Sequence, residues 1–140
     1  MSKLNLKIIT PLGNIFEGEA NEIIIPTTSG IITVLPNHIP LVSILSTGEL
    51  LIKTGSEIVP FAISGGVLEV RKTTNQKTDI IVLTERSESG FEIDVERAED
   101  AYKRAQEVMD GVHREHSDFA RFEAMMDKEL NRVHIGKKYR

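Results

Sequence analysis

The stretch Arg86-Ser-Glu-Ser-Gly90-Phe-Glu-Ile-Asp94-Val-Glu-Arg-Ala98 is where this chain changes its grammar. All five prolines (Pro11, Pro26, Pro36, Pro40, Pro60) and eight of the ten glycines lie at or before Gly90. From Asp94 to Arg140 the chain is densely charged, has no proline, and carries only Gly111 and Gly136. Proline removes a backbone donor and glycine costs a helix conformational entropy, so both punctuate short strands, whereas a charged stretch without them stays helical. The fold class read from this break is α+β. Residues 1–88 form a β-sandwich, or flattened barrel, of about nine or ten short strands, and residues 89–140 form an antiparallel two-helix hairpin. The break itself reads as a hinge.

Upstream of the break, Leu4, Leu6 and Ile8 alternate with Lys3, Asn5 and Lys7, the period of a half-buried strand. Pro11-Leu-Gly13 turns the chain into Ile15-Phe16. Further apolar runs follow at Ile23–Ile25, Gly30–Leu35, Leu41–Leu45, Leu50–Lys53, Ile58–Ile63, Val67–Val70 and Ile80–Leu83, parted by Gly48, Gly55 and Gly65-Gly66. Several runs are apolar on both faces, as expected of central strands covered from both sides. The pair Gly65-Gly66 lacks the spacing of a phosphate loop and marks either a tight hairpin or a close approach of another backbone.

Downstream, Asp94 suits an N-cap, and Glu96 places negative charge at the positive end of the helix dipole. Val95, Ala98, Tyr102, Ala105, Met109 and Val112 recur at spacings of three and four, giving one narrow apolar seam. Asp110-Gly111 stops the helix. Ser117-Asp118 starts a second one, with its seam at Phe119, Phe122, Met126, Leu130 and Val133. The loop between is short, so the helices are antiparallel neighbours. Alanine facing phenylalanine and methionine makes a close but thin interface with no second layer behind it. Such a hairpin is marginal alone and able to open when something competes for its seam.

With 140 residues the chain can build one sizeable core plus an appendage. A net charge of −4 argues against general binding to nucleic acid or anionic membranes. The absence of cysteine excludes disulfides, thiolate metal sites and cysteine nucleophiles, and fits a reducing cytoplasm. No apolar run approaches the roughly 20 residues that span a bilayer, and the N-terminal segment has no signal-peptide core. The expectation is a soluble cytoplasmic protein that meets a membrane only through a partner.

No catalytic constellation can be assembled. The histidines are His38, His113, His116 and His134. His113 and His116 share a helix face, but zinc needs a third ligand in defined geometry, so they read as solvated surface. His38, within Leu35-Pro-Asn-His-Ile-Pro40, reads as a turn residue bonded to local backbone. Arg114, Arg121 and Lys128 recur every seven residues, and Arg132 follows one turn later. They form a basic stripe beside the seam. It is either a solvated face paired with Glu129 or Asp118, or a surface for an acidic partner or phosphates. Arg97 and Arg104, one heptad apart on the first helix, face the same question. Cations gathered from two helices are unfavourable unless an anion sits among them.

Several segments together resemble the ε subunit of bacterial F-type ATP synthase along essentially the whole chain. They are Leu6-Lys-Ile-Ile-Thr-Pro11, Ser29-Gly-Ile-Ile-Thr-Val-Leu-Pro-Asn-His-Ile-Pro-Leu41, Leu45-Ser-Thr-Gly48, Ile63-Ser-Gly-Gly-Val-Leu-Glu-Val70 and Ile93-Asp-Val-Glu-Arg-Ala98. Thr33 stands where that family usually has glycine. The resemblance implies a non-catalytic rotor subunit of the central stalk. Its β-sandwich binds the γ subunit and the c-ring; the candidate partner-binding residues are His38 in this part and the stripe Arg114, Arg121 and Lys128 in the hairpin. Its hairpin folds back, or extends to the α/β catalytic head and inhibits ATP hydrolysis. No cofactor is required. In some members ATP, with or without Mg, is a regulatory ligand of the folded hairpin, which here points to Ile93, Asp94, Arg97, Ala98, Arg104, Lys128 and Arg132. Lys128 stands where the family has an arginine, and the two are not equivalent at a phosphate. The implied location is peripheral, on the cytoplasmic face of the bacterial cell membrane. The rival reading is an adaptor or chaperone whose β domain carries a coiled-coil finger; an enzyme comes last.

Overall fold

A computed structural model of the chain describes residues 3–111 and 118–139. It divides into two compact units, Met1–Ser89 and Gly90–Arg140.

The first unit is a nearly closed two-layer β structure of ten strands. They are β1 (Leu4–Thr10), β2 (Gly13–Ala20), β3 (Glu22–Thr27), β4 (Gly30–Val34), β5 (Leu41–Leu45), β6 (Gly48–Thr54), β7 (Glu57–Ile63), β8 (Gly66–Lys72), β9 (Thr78–Leu83) and β10 (Ser87–Ser89). The hydrogen-bonded path runs β10-β7-β6-β3-β5-β8-β9-β1-β2, with β4 also on β3. Among the described residues, only β1 and β9 pair in parallel. β3 joins the layers: one edge pairs with β4 throughout, and the other pairs with β6 at Glu22–Ile24 and with β5 at Thr27.

Alternation along the strands fills the core. Leu4, Leu6 and Ile8 of β1 are buried, as are Ile23 and Ile25 of β3, Leu50 and Ile52 of β6, Leu68 and Val70 of β8, and Ile80 and Val82 of β9. Strands that are apolar on both faces divide: Pro60, Phe61, Ala62 and Ile63 of β7 are buried one after another, as expected from sequence, whereas others have an uncovered outer face. A two-layer structure has one inner face per strand. Val42 and Ile44 of β5, Val67 of β8 and Leu83 of β9 therefore lie exposed on the outside.

Gly65-Gly66 proves to be a close backbone approach. Gly66 has φ +127, and a Cβ there would overlap the Leu83 carbonyl oxygen. Thr33 keeps unbroken pairing with Ile24, so the family's glycine is not needed at this position. Ser87–Ser89 adds a short strand to the edge of β7, in register from Ser87↔Ile63 to Ser89↔Phe61.

The second unit holds α1 (Val95–Asp110) and α2 (Phe119–Lys138). The Asp94 carboxylate caps α1 by accepting the Arg97 N–H at 3.1 Å. The Gly111 N–H closes its other end on Val108 O at 3.2 Å. Asp118 precedes α2 in a helical conformation and makes no side-chain capping bond. Lys137 and Lys138 in the last turn of α2 favour the negative end of its dipole.

The helices are antiparallel. Lys137 Nζ reaches Glu99 Oε1 at 2.9 Å, and a Cβ on Gly136 would lie 2.5 Å from Val95 Cγ2. Burial along the seam is graded. Val95, Ala98, Ala105 and Val133 are buried, while Tyr102, Met109, Phe119, Phe122, Met126 and Leu130 are only half-buried. Phe91 and Tyr139 stack edge to face, 5.7 Å apart, closing the base. Val108 and Met125, nearer the turn, stay exposed. Val112 and Ser117 lie outside the described residues. Among the described residues, no helix is long and apolar enough to cross a membrane.

Candidate functional site

In the hairpin, Gly136 fixes the register, because with no side chain it lets Val95 and Ile93 come against α2. Counting away from that contact sets Ala98 opposite the turn that holds Arg132, and Arg104 opposite the turn that holds Lys128. Ile93, Asp94, Ala98 and Arg132 thus share the base. Arg104 and Lys128 lie further along, since ten residues of helix rise about 15 Å. The seven candidates are thus spread along the hairpin from its base, over both helices.

Their surroundings differ. Asp94 is committed to the cap, and Arg97 is exposed one turn into α1. Ala98 is fully buried in the seam. Arg104, also exposed, donates through Nε to Asp100 O at 3.4 Å. Lys128 is half-buried.

Arg132 corrects the picture of a uniform basic stripe. It is 8% exposed, and its Nη1 donates to Glu129 Oε2 at 2.8 Å. It lies one turn before Gly136, on the face of α2 that meets α1. Arg121 does lie exposed, and Arg114 falls outside the described residues. His134 is exposed on α2, while His113 and His116 are also outside the described residues.

His38 occupies the turn before β5. Its Nδ1–H donates to Ile39 O at 2.7 Å, and its backbone N–H to Leu35 O at 3.1 Å. Asn37 holds the turn with φ +69 and an N–H bond to Thr78 Oγ1 at 2.8 Å. The imidazole is thus engaged by local backbone, and the same turn leaves Leu35 and Ile39 exposed beside it.

A further feature lies on the outer sheet face. Ile44 of β5 pairs with Val67 of β8, which pairs with Leu83 of β9. These side chains are 63%, 40% and 50% exposed, and Val42 adds a fourth apolar group one pleat away. Together they form an in-register row of exposed aliphatic side chains across three strands. Their signal in the sequence was the apolar run with two apolar faces. Gly136 was also overlooked, although a glycine inside a charged helical run signals close approach.

Two family models cover the chain. The ATP synthase delta/epsilon chain β-sandwich domain matches residues 3–90, and the long α-helix domain matches residues 92–137. An ATP synthase epsilon chain of Halalkalibacterium halodurans is 35% identical over 96% of this chain and 98% of its own. One of Prochlorococcus marinus is 37% identical over 76% of this chain and 75% of its own. Among solved structures, a chain of the Euglena gracilis mitochondrial ATP synthase superposes with a TM-score of 0.76 at 20% identity, over 94% of this chain and 79% of that one. A chain from the central stalk and c-ring of the Tetrahymena thermophila enzyme gives 0.63 at 14% identity, over 99% and 98%. These last two establish the shared fold. An epsilon chain is a non-catalytic subunit of ATP synthase, which agrees with the reading of the residues. With both units matched in order and across nearly its full length, the chain belongs to the ATP synthase delta/epsilon chain family.

Proposed function

We propose that the β unit attaches this chain to the central stalk of ATP synthase through the γ subunit and the c-ring, while the hairpin regulates ATP hydrolysis. The observation that carries the reading is the exposed row Ile44–Val67–Leu83. Uncovered aliphatics on a rigid sheet suit a permanent apolar interface, which we assign to γ. The smaller turn of His38, with Leu35 and Ile39 exposed, is assigned to the c-ring.

The hairpin supplies the movable part. Its seam buries few large side chains, so its helices separate at low cost and extend toward the α/β catalytic head, where exposed cations such as Arg121 meet acidic surface. In this role the chain couples proton or sodium flow to ATP synthesis and restrains hydrolysis. Its place is the cytoplasmic face of the bacterial membrane, peripheral and held by the complex.

ATP, with or without Mg, is the regulatory ligand we assign to the folded hairpin. Arg97 and Arg104 are exposed along one side of α1, and Lys128 lies on α2 opposite Arg104, a cation set that fits a triphosphate. Calorimetry of the full chain checks this: heat that disappears in Arg104→Ala supports it, and no heat at millimolar ATP removes it.

Attachment is tested by placing a charge on the sheet face. Ile44→Lys and Val67→Lys should fold normally yet fail to co-purify with γ and the c-ring. Undiminished co-purification of both variants would move the interface elsewhere.

A further inference from the structure

The hairpin carries three methionines, Met109 on α1 and the neighbours Met125 and Met126 on α2. Met109 and Met126 hold seam positions and are half-buried, whereas Met125 is 43% exposed. The register fixes what the seam pair meets. Ala105 lies ten residues beyond Val95, and Met126 lies ten residues before Gly136. In antiparallel helices the two stand level, about 15 Å from the Gly136 contact. Met109 and Phe122 stand level one turn further on. Ala105 is buried, and Phe122 is half-buried.

A thioether at such a place has two properties at once. It fills the space over a small residue as a flexible apolar group, and its sulfur makes favourable contact with an aromatic ring. Being half-exposed, it also meets oxidants dissolved in water, and the chain has no cysteine to compete for them. A peroxide passes one oxygen to a sulfur lone pair, its O–O bond breaks, and water leaves. The sulfur is oxidised to the sulfoxide and the peroxide is reduced. The new S=O group is polar and needs a hydrogen-bond donor. Alanine and phenylalanine side chains offer none, and a polar group without a partner is unfavourable away from water.

We propose that Met109 and Met126 make the hairpin redox-sensitive: oxidation of their sulfurs by a peroxide loosens the closed seam. Reduction of the sulfoxides by a dithiol-dependent reductase closes it again. In that reverse step the sulfoxide oxygen departs as water and the dithiol becomes a disulfide. Met125 supplies an internal contrast. Its sulfoxide meets water in the closed and the open hairpin alike, so it shifts no equilibrium between them. The proposal rests on the reading of the hairpin as a movable regulator, and it adds a chemical signal that moves it.

Treating the full chain with hydrogen peroxide, then locating the added oxygen by mass spectrometry and measuring amide exchange, tests this. Met125 should be oxidised first, and Met109 and Met126 after it. Once the seam sulfurs are oxidised, amides of α1 and α2 should exchange about tenfold faster, while those of the β unit keep their rates. Methionine sulfoxide reductase should restore native exchange. In Met109→Leu/Met126→Leu, a volume-conserving change, peroxide should leave exchange unaltered although Met125 still takes up oxygen. In Met125→Leu the acceleration should persist.

A chain oxidised before assembly should restrain ATP hydrolysis by the enzyme more than the reduced chain does. If exchange shifts as stated while hydrolysis does not respond, the inference on the seam holds and the regulatory reading of the hairpin falls. Three results would overturn the inference: native exchange despite seam sulfoxides, no oxygen uptake at Met109 and Met126 once Met125 is fully oxidised, or equal acceleration in the double leucine variant.

Discussion

The two units bury their apolar residues in opposite ways. In the β unit, fully enclosed leucines, isoleucines and valines come from both layers, and each contributes about 1.5–3 kcal/mol by leaving water. In the hairpin, α1 buries only Val95, Ala98 and Ala105, and much of the α2 seam is half-exposed. One of the buried side chains there is an arginine. The β unit also leaves aliphatic side chains uncovered on a rigid outer face, while the hairpin has its looser contacts near the turn. Rigid with an unmet apolar face suits lasting attachment; weakly closed suits a regulator. The same chain thus divides its tasks by how much large apolar surface each part encloses.

Substitutions can break this contrast at several depths. The largest effect is expected at Gly66, where alanine would need a left-handed backbone and would overlap the Leu83 carbonyl. Gly66→Ala should cost the β unit about 3–5 kcal/mol in denaturant unfolding, combining backbone strain with overpacking.

Gly136→Val comes next. Its side chain meets Val95, itself buried, and Ile93, so the helices must part, at about 1–3 kcal/mol. The loss should appear as faster amide exchange in the hairpin alone, because the β unit holds its own core. Equal loosening of both units would erase the contrast. Asp94→Ala removes the cap of α1 and should cost the hairpin about 1 kcal/mol, read as lost helical signal on heating. Smallest of all, Ile44→Lys should change the melting stability of the isolated chain by less than about 0.5 kcal/mol, since that side chain already faces water. A large loss there would mean that the outer face belongs to the fold rather than to a partner.

Much of this was legible in the sequence, for identifiable reasons. Short apolar runs parted by proline and glycine located nine strands, and the Asp94 cap with the Gly111 stop bounded α1 closely. Ser87–Ser89 was not legible as a strand, because Ser-Glu-Ser has no strand propensity and is ordered by pairing with β7. Periodicity also cannot say which of two apolar faces turns inward, so Ile44, Val67 and Leu83 read as core when they are surface. The burial of Arg132 is not legible in the basic stripe, because it depends on which face of α2 packs against α1. A charge pattern along a single helix does not carry that information.

The central claim is that the β unit attaches and the hairpin restrains. ATP hydrolysis by the assembled enzyme, measured with the full chain and with a chain ending at Gly90, addresses both halves together. The truncated chain should still assemble and should hydrolyse ATP faster, most clearly at low ATP. Equal rates at low and high ATP, with assembly intact, would contradict the account.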